Sequence, residues 1–207
     1  MNCQILELPQ KIDSNNQIIK HDGYILSYNE GCEQANWVKY RVTKTDLENE
    51  VAKRNNKFKE DDLIPTGSAT SDDYRGSNYD RGHLAAAADF VHDQKLNDES
   101  FYMSNMSPQN PSFNRGMWKQ LESHVRDLAL SEDTVYVITG PILSDVIETI
   151  GYNKVCVPSA YYKIIIDKNG DVIDCYIMKN KRLTGKIEDY SQPLKAIENI
   201  TGLMFEY

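Results

Sequence analysis

The sequence predicts an α+β fold in which helices flank a central, mainly antiparallel sheet. Strand-like segments come in neighbouring pairs joined by short turns, a few segments have helical periodicity, and the two kinds mix without regular βαβ alternation. The chain has 207 residues, of which 40% are hydrophobic, so it is long enough for one domain with a substantial core. We expect that domain over residues 21–207, after an N-terminal extension (residues 1–20) whose polar character predicts loose order.

The N-terminal half predicts a pair of strands followed by a long loop. Residues 23–28 and 37–42 have strand composition with partial alternation, and residues 29–31 predict the turn between them. A capping pattern starting at Thr45 predicts a short helix. Residues 52–79 are polar and rich in turn formers. A loop of this length inside a compact domain is uncommon and usually has a function.

The C-terminal half predicts further strands and two helices. Asn169-Gly170 is a strong hairpin signal between the last two strands. Apolar residues at helical spacing predict an amphipathic helix over residues 114–130. Pro193 near the start and Gly202 past the end predict a final helix. The predicted strands of this half are residues 134–139, 161–166 and 172–178, and residues 101–106 are expected to be a strand or an extended segment.

The charge balance argues against a nucleic-acid partner when it is considered alone. The net charge is −8 and the isoelectric point is about 5.0, whereas phosphate binding favours a basic surface. Net charge, however, describes solubility and long-range steering and not a single cleft. One candidate basic patch is formed by Lys53, Arg54, Lys57 and Lys59.

The cysteines and the hydropathy pattern bear on the compartment. Cys3, Cys32, Cys156 and Cys175 include no CxxC pair, which argues against a zinc ribbon. Two disulfides, one disulfide or four free thiols all stay open, and sequence does not choose among the pairings. The N-terminus has no apolar signal core, and no apolar run approaches the ~18 residues of a membrane span. We therefore expect no membrane span.

The stretch Asp80-Arg81-Gly82-His83 is the most informative candidate for chemistry. Phosphodiester hydrolysis needs a base for the attacking water, a cation for the charge on the phosphorane, and stabilisation of the leaving oxyanion. A histidine, with an ordinary pKa of about 6.5, suits the first need, and Mg²⁺ suits the other two. Arg81 and His83 share a face if the segment is extended, and Gly82 permits a tight turn between them.

A downstream pair supplies what such a histidine would need. Asn114 and Glu122 are eight residues apart, which is about two helical turns, so they project from nearly one face. An amide oxygen suits a hard cation that keeps several waters, and Glu122 can orient those waters. Taken in isolation, Asn114 is more simply a helix N-cap and Glu122 a solvated helix residue.

Several segments together resemble the DNA/RNA non-specific endonucleases, a family with the ββα-metal (His-Me finger) fold that includes secreted bacterial nucleases. The motif Tyr79–Ala85 carries part of the resemblance, as do residues 105–109 and 113–122 with their spacing. Arg54 to Asp61 resembles the upstream Arg-x-x-x-Phe-x-x-Asp element, and residues 72–77 resemble the lead into the motif. The resemblance spans roughly residues 20–205.

This resemblance implies a sugar-nonspecific endonuclease that hydrolyses DNA and RNA to 5′-phosphate products. His83 would be the general base, Asn114 the sole direct protein ligand of one Mg²⁺, and Glu122 the holder of water bound to that ion. Mn²⁺ or another divalent ion is an alternative metal. The further site positions are phosphate-binding arginines, Arg81, Arg54 and Arg126, with Arg75 close enough in sequence to contribute, and supporting residues, Asp80, Gly82, Asn105 and Gln109.

We expect a secreted or periplasmic protein whose signal peptide is absent from this numbering, with a cytoplasmic location left open. The expected partners are DNA and RNA, and a homodimer is left open.

Two other functions stay open at this point. The first is a catalytically weak module on the same fold that binds nucleic acid or a protein partner. A complete set of His83, Arg81, Asn114 and Glu122 speaks against it, because binding alone does not require these residues together. The second is a zinc-dependent domain of the related HNH type. That domain needs more histidine or aspartate ligands near the helix, and His124 is poorly spaced from Asn114.

Overall fold

The computed structural model describes Pro9 and residues 17–205, and this part of the chain folds into strands, helices and one long loop. The helices are α1 (Lys44–Glu48), α2 (Gln94–Glu99), α3 (Pro111–Phe113), α4 (Lys119–Glu132) and α5 (Leu194–Thr201). The strands are β1 (Gln17–Lys20), β2 (Tyr24–Asn29), β3 (Gln34–Thr43), β4 (Asp80–His83), β5 (Met106–Gln109), β6 (Thr134–Pro141), β7 (Val146–Ile150), β8 (Val155–Pro158), β9 (Ala160–Asp167) and β10 (Val172–Lys179).

The described residues contain one large sheet and two small ones. Six strands form the large sheet in the order β1-β2-β3-β6-β9-β10, and every neighbouring pair is antiparallel. This confirms the predicted α+β class with a mainly antiparallel sheet. The predicted hairpin is also confirmed, since β9 and β10 pair around Asn169-Gly170.

Apolar clusters cover both faces of the large sheet. Successive side chains along a strand point to opposite sides, so neighbouring residues of one strand join different clusters. On β6 and β9, Val137 and Ile165 join the cluster that contains Trp118, the residue directly before α4. Their neighbours Ile138 and Ile164 join the opposite cluster, with Ile197 of α5. Full burial of such side chains stabilises the fold by about 1.5–3 kcal/mol each. The sheet is therefore a rigid platform, and α4 is fixed to one face of it.

A second hairpin and α4 build the ββα unit that carries the motif. β4 pairs with β5 in antiparallel register, with His83 opposite Met106. The chain then passes through α3 and a π-helical turn, Asn114–Trp118, into α4. Gly116 departs from helical geometry inside that turn, with φ −106° and ψ −108°. The turn lies against the hairpin, since the Asn114 side chain donates a hydrogen bond to Asp80 of β4.

The structure corrects several local predictions. Residues 17–20, placed in the loose extension, form β1 and pair with β2; except for Pro9, residues 1–16 lie outside the described residues. The cap of α1 is Thr43 and not Thr45, because the Thr43 Oγ1 accepts a hydrogen bond from the Asp46 amide. Residues 101–106, expected to be a strand or an extended segment, join a strand only at Met106. A 3₁₀ turn, Met103–Asn105, comes directly before this strand, which is β5.

One disulfide joins two distant parts of the described chain. Cys32, in the turn between β2 and β3, is bonded to Cys156 of β8. Cys175 is buried and unpaired, and Cys3 lies outside the described residues. Within the ranges that the structure covers, no helix has both the length and the apolar character to cross a bilayer.

Candidate active site

A cleft of about 480 Å³ lies between the β4 segment and the start of α4. It brings together six of the residues singled out from the sequence, which come from three separate segments of the chain. The residues that line it are Arg54, Arg81, His83, Ala86, Ala87, Ala88, Asn114, Arg115, Lys119, Glu122 and Arg126.

His83 lies at the base of this cleft and is 9% exposed. The ring of Phe101 stands edge-on to the imidazole, with 4.9 Å between centroids. The Nε2 atom is buried and has no hydrogen-bond partner among the described residues. Burial lowers the pKa of His83 to about 3, and the positive charge of Arg54 adds to that effect. The imidazole is therefore neutral at pH 7 and free to accept a proton.

Gly82 serves packing and not the tight turn that the sequence suggested. It lies within β4 opposite Ser107, and its φ is outside the left-handed region. A Cβ at this position would come within 3.0 Å of Cδ, Oε1 and Cγ of Gln109. The buried amide of Gln109 thus occupies the space where a side chain would stand. Its Oε1 and Nε2 atoms have no hydrogen-bond partner in the described part of the chain.

Asn105 does not line the cleft but holds the backbone that follows the Asp80–His83 stretch. Its amide donates hydrogen bonds to the carbonyl oxygens of Ala85 and Ser100, at 2.9 Å and 2.8 Å. Its Oδ1 accepts one from the Ala85 amide at 2.9 Å. Three hydrogen bonds from one fully buried side chain fix the backbone just after His83. Asn105 therefore fixes the backbone that follows β4, and Gln109 packs against β4 at Gly82.

Asn114 is oriented by Asp80. The Asn114 Nδ2 donates a hydrogen bond to Asp80 Oδ2 at 2.9 Å. Arg115 donates two more to the same carboxylate, from Nε at 2.9 Å and Nη2 at 2.6 Å. With its nitrogen held in this way, the Asn114 amide has its oxygen as the remaining polar atom. An amide oxygen at the edge of a cleft is a suitable ligand for a hard cation.

Glu122 sits among buried charges on the floor of the cleft. Burial raises the pKa of Glu122, while Lys163, Arg126 and Arg54 act to lower it and Asp89 adds to the rise. Asp89 is itself held by Arg126, whose Nη1 donates a hydrogen bond at 2.9 Å. The ionisation of Glu122 therefore depends on the cations around it.

The predicted substrate-binding arginines divide into two groups. Arg81 and Arg54 lie over aromatic rings, 4.2 Å from the Phe58 centroid and 5.1 Å from the Phe101 centroid. Both line the cleft, as Arg126 does. Arg75 does not: it pairs with Asp72 at 2.6 Å, and its side chain is 80% exposed. Of the predicted basic patch, Arg54 is the member that lines the cleft; its other members are Lys53, Lys57 and Lys59.

The donor set fits one hard divalent cation that keeps most of its water. No cluster of three or more His, Cys, Asp or Glu side chains with metal-binding geometry occurs in residues 17–205, which disfavours a zinc site of the HNH type. His124 instead faces Asp174, with 3.2 Å between Nε2 and Oδ2. A single amide oxygen, with a carboxylate nearby, matches the few protein ligands that Mg²⁺ often takes.

Sequence reasoning missed four residues of this region: Arg115, Lys119, Asp89 and Lys163. Lys163 left a signal, since it is a lone charged residue inside the apolar strand β9. The other three carry no local pattern that separates them from ordinary surface residues.

Comparison with known proteins gives matches in both sequence and structure. Residues 4–207 match the family model described as DNA/RNA non-specific endonuclease. Human mitochondrial endonuclease G is 36% identical over 205 residues, with 91% of this chain and 69% of that protein covered. Nuclease C1 of Cunninghamella echinulata var. echinulata is 36% identical, with 90% and 81% covered. A crystal structure of an EndoG/EndoGI complex superposes with a TM-score of 0.83 at 34% identity, covering 91% of this chain and 84% of that one.

Proposed function

This chain belongs to the DNA/RNA non-specific endonuclease family, and we propose on that basis that it is a Mg²⁺-dependent endonuclease that hydrolyses DNA and RNA to 5′-phosphate products. The observation that carries the proposal is the Asp80–Asn114 hydrogen bond. It fixes an amide oxygen at the same cleft as a neutral, unpartnered histidine. A module that only bound nucleic acid would need neither feature, so the binding-only alternative is less well supported.

His83 is the proposed general base. As the water oxygen attacks phosphorus, the imidazole takes a proton from that water, and the bond from phosphorus to the 3′ oxygen breaks. The products are a 5′-phosphate and a 3′-hydroxyl, with the leaving oxygen protonated from solvent. The low pKa of His83 follows from burial and Arg54. A bound phosphodiester brings a negative charge to the cleft, which raises that pKa toward a value suited to proton transfer.

Asn114 and Glu122 would hold the cation. A bound Mg²⁺ supplies Lewis-acid stabilisation of the phosphorane and of the leaving oxygen. Asn114 contributes its oxygen, because Asp80 occupies the amide nitrogen. Glu122, in its ionised form, orients water of the ion's hydration shell. Mn²⁺ meets the same oxygen-ligand requirement and is the proposed substitute ion.

The proposed lack of sequence preference follows from the cationic side chains that line the cleft. Its charged lining is dominated by arginines and one lysine, which bind phosphate oxygens. Contacts to phosphate position a nucleic acid but carry no base information. The proposed phosphate contacts are Arg81, Arg54 and Arg126.

Two variants test this proposal directly. His83→Ala should abolish cleavage of plasmid DNA and RNA while leaving the fold and metal binding intact. Asn114→Ala should require more Mg²⁺ for half-maximal activity. Arg75→Ala is a suitable control, because its exposed side chain lies away from the cleft, and it should cut at the wild-type rate.

The digestions are run with and without EDTA, followed by analysis of the product ends. Wild-type cleavage that persists in EDTA, or products with 3′-phosphates, would overturn the proposed reaction. Cleavage by His83→Ala at the wild-type rate would overturn the role of the base.

We also propose a secreted or periplasmic location. The Cys32–Cys156 disulfide supports it, because structural disulfides persist in oxidising compartments.

A further inference from the structure

Two aromatic side chains, Phe58 and Phe101, support both functional side chains of β4. The guanidinium carbon of Arg81 lies 4.2 Å from the centroid of the Phe58 ring. Phe58 and Phe101 meet edge to face, with 5.2 Å between their centroids, and Phe101 is likewise edge-on to His83 at 4.9 Å. The proposed phosphate-binding arginine and the proposed base therefore rest against one aromatic pair.

Phe58 belongs to the long polar loop of residues 52–79, and the loop is fixed at this point. The Lys59 amide donates a hydrogen bond to the Phe101 carbonyl oxygen at 3.3 Å, and the Lys59 carbonyl oxygen accepts one from the Met103 amide at 2.9 Å. The backbone next to Phe58 is thereby joined to the segment that carries Phe101, which fixes the two rings relative to each other.

Asp61 attaches the loop a second time, three residues after Phe58. Its carboxylate accepts a hydrogen bond from the Ser104 hydroxyl, and its Oδ2 atom lies 2.9 Å from the Nε2 atom of His21. The side chains of Asp61 and His21 are both buried, so water does not compete for this contact. The loop therefore presents Phe58 at a defined place beside β4.

The Arg81 guanidinium depends on Phe58 for its orientation. Among the described residues, no hydrogen bond or ion pair holds this side chain. In contrast, Arg115 and Arg126 are held by carboxylates at 2.6 Å and 2.9 Å, and Arg54 donates a hydrogen bond to an amide oxygen two residues along the chain. Ordering a long side chain on binding costs free energy, and contact with the ring orders Arg81 before a substrate arrives.

An aromatic ring suits this task better than a carboxylate does. A ring face attracts a cation through its quadrupole and takes up none of the cation's hydrogen-bond donors. A carboxylate accepts two N–H groups of a guanidinium, which then are not available to a phosphate. Arg81 on Phe58 thus keeps its full set of donors, whereas Arg115 shares its donors with Asp80.

We propose that Phe58 is a positioning residue for substrate binding, because the face of its ring holds the Arg81 guanidinium in the orientation that binds a phosphate of the nucleic acid. The inference rests on the proposed function, in which Arg81 contacts phosphate. Phe58 does not line the cleft, so it acts through Arg81 and not on the nucleic acid.

A packing role is the competing explanation, since the Phe58 ring also lies near His83, with 5.9 Å between centroids. The two explanations differ in what they predict for Arg81. If Phe58 acts through Arg81, loss of the ring should have little further effect once the guanidinium is absent. If Phe58 only supports the imidazole and Phe101, its loss should cost the same with or without Arg81.

The test compares Phe58→Leu, Phe58→Tyr, Arg81→Ala and the Phe58→Leu/Arg81→Ala double variant with the wild type in the full chain. Leucine keeps an apolar side chain without a ring, and tyrosine keeps the ring. Phe205→Leu is the matched control, because Phe205 packs in the cluster on the opposite face of the large sheet, and no cation lies over its ring within the described residues.

The main measurement is the affinity for a short DNA duplex, followed by fluorescence anisotropy in EDTA at low salt. We expect Phe58→Leu to weaken binding by about 2–30-fold, the range that a cation–π contact covers. Phe58→Tyr and Phe205→Leu should bind like the wild type. In the Arg81→Ala background, Phe58→Leu should have little further effect.

Steady-state cleavage of the same duplex at saturating Mg²⁺ gives a second readout. A loss of uniform binding raises KM and leaves kcat unchanged, so Phe58→Leu should show that pattern. Wild-type affinity in Phe58→Leu, an equal loss in Phe58→Tyr, or the same loss with and without Arg81 would overturn the inference.

Urea unfolding shows whether each variant is folded. Phe58→Met, which adapts to an irregular space, replaces Phe58→Leu if that variant is unstable, and the same outcomes apply to it. The proposed function is judged separately, by wild-type cleavage and its loss in His83→Ala, because duplex binding in EDTA does not require cleavage.

Discussion

Replacement of Gly82 by alanine should disable the cleft through packing alone. The new methyl group would come within 3.0 Å of three atoms of Gln109, whereas ordinary carbon–carbon contacts are about 3.5–4.0 Å. Gln109 is 0% exposed, so its side chain has no path to solvent and the β4–β5 pairing must open. Overpacking of this kind costs about 1–3 kcal/mol.

Activity should fall further than stability, because the next residue is His83. A displacement of about 1 Å at a catalytic group costs on the order of 10²-fold in rate. We therefore expect Gly82→Ala to lose about 1–3 kcal/mol of unfolding free energy and most of its cleavage activity. The assays are urea denaturation and the initial rate of plasmid relaxation at saturating Mg²⁺.

Two further variants make the reasoning refutable. Gly31→Ala is the matched control, because its Cβ would meet only the Asn29 Oδ1, at 3.4 Å, and it should behave like the wild type. Gln109→Ala removes the obstructing side chain, so in that background the Gly82→Ala substitution should cost much less. A Gly82→Ala enzyme with wild-type rate and stability, or no relief from Gln109→Ala, would refute the packing argument.

Three further predictions follow from the cation site, the buried base and the disulfide. Asp80→Ala frees the amide of Asn114 and should raise the Mg²⁺ concentration for half-maximal cleavage by about 10–100-fold; an unchanged midpoint would contradict that. Burial holds the pKa of His83 at about 3 in the folded protein. Below pH ~6.5 the unfolded chain therefore binds a proton at His83 that the folded protein does not bind, and the folded state loses stability as the pH falls from ~6.5 toward 3. The unfolding free energy of the wild type minus that of His83→Gln should accordingly drop by about 1.4 kcal/mol per pH unit in this window, measured by urea titration at several pH values; a flat difference would show that His83 is not buried as neutral imidazole. Cys32→Ser removes the disulfide to Cys156, which closes a loop with a sequence separation of 124 residues, and should lower the unfolding free energy by about 2–5 kcal/mol in denaturant melts. The wild type in reductant should lose the same unfolding free energy. A melt insensitive to reductant would argue against the Cys32–Cys156 bond.

Much of the fold could be predicted because, in many of its segments, the apolar periodicity and the turn or capping residues indicate the same secondary structure. The hairpin at Asn169-Gly170 and the helix after Trp118 both combine an apolar period with the turn or helix chemistry that suits it. β7 escaped prediction because four of its five residues are exposed, which leaves no apolar alternation. β4 consists of Asp-Arg-Gly-His and has no strand composition, so it is extended because it pairs with β5 and not through intrinsic preference.

The part of the candidate site that lies on one helical segment was predictable from residue spacing. Asn114 and Glu122 reach the same cleft because they begin and continue one helical segment, and His83 meets them through the β4–β5 hairpin. Arg75 does not line the cleft, and its nearness in sequence to the motif does not reveal its ion pair with Asp72. Lys163 could be marked as unusual from its strand, but its position over the Trp118 ring joins distant segments of the chain, which local patterns do not encode.

The net charge of −8 does not describe the surface that a phosphodiester meets. The charged residues that line the cleft are five cations and one carboxylate, Arg54, Arg81, Arg115, Lys119, Arg126 and Glu122. Two of these cations are held by carboxylates, Arg115 by Asp80 and Arg126 by Asp89, so they also fix the shape of the site. The acidic groups elsewhere act over distances that salt screens beyond about 10 Å at 0.1 M. Attraction for nucleic acid is therefore a short-range property of the cleft, and an acidic chain is compatible with it.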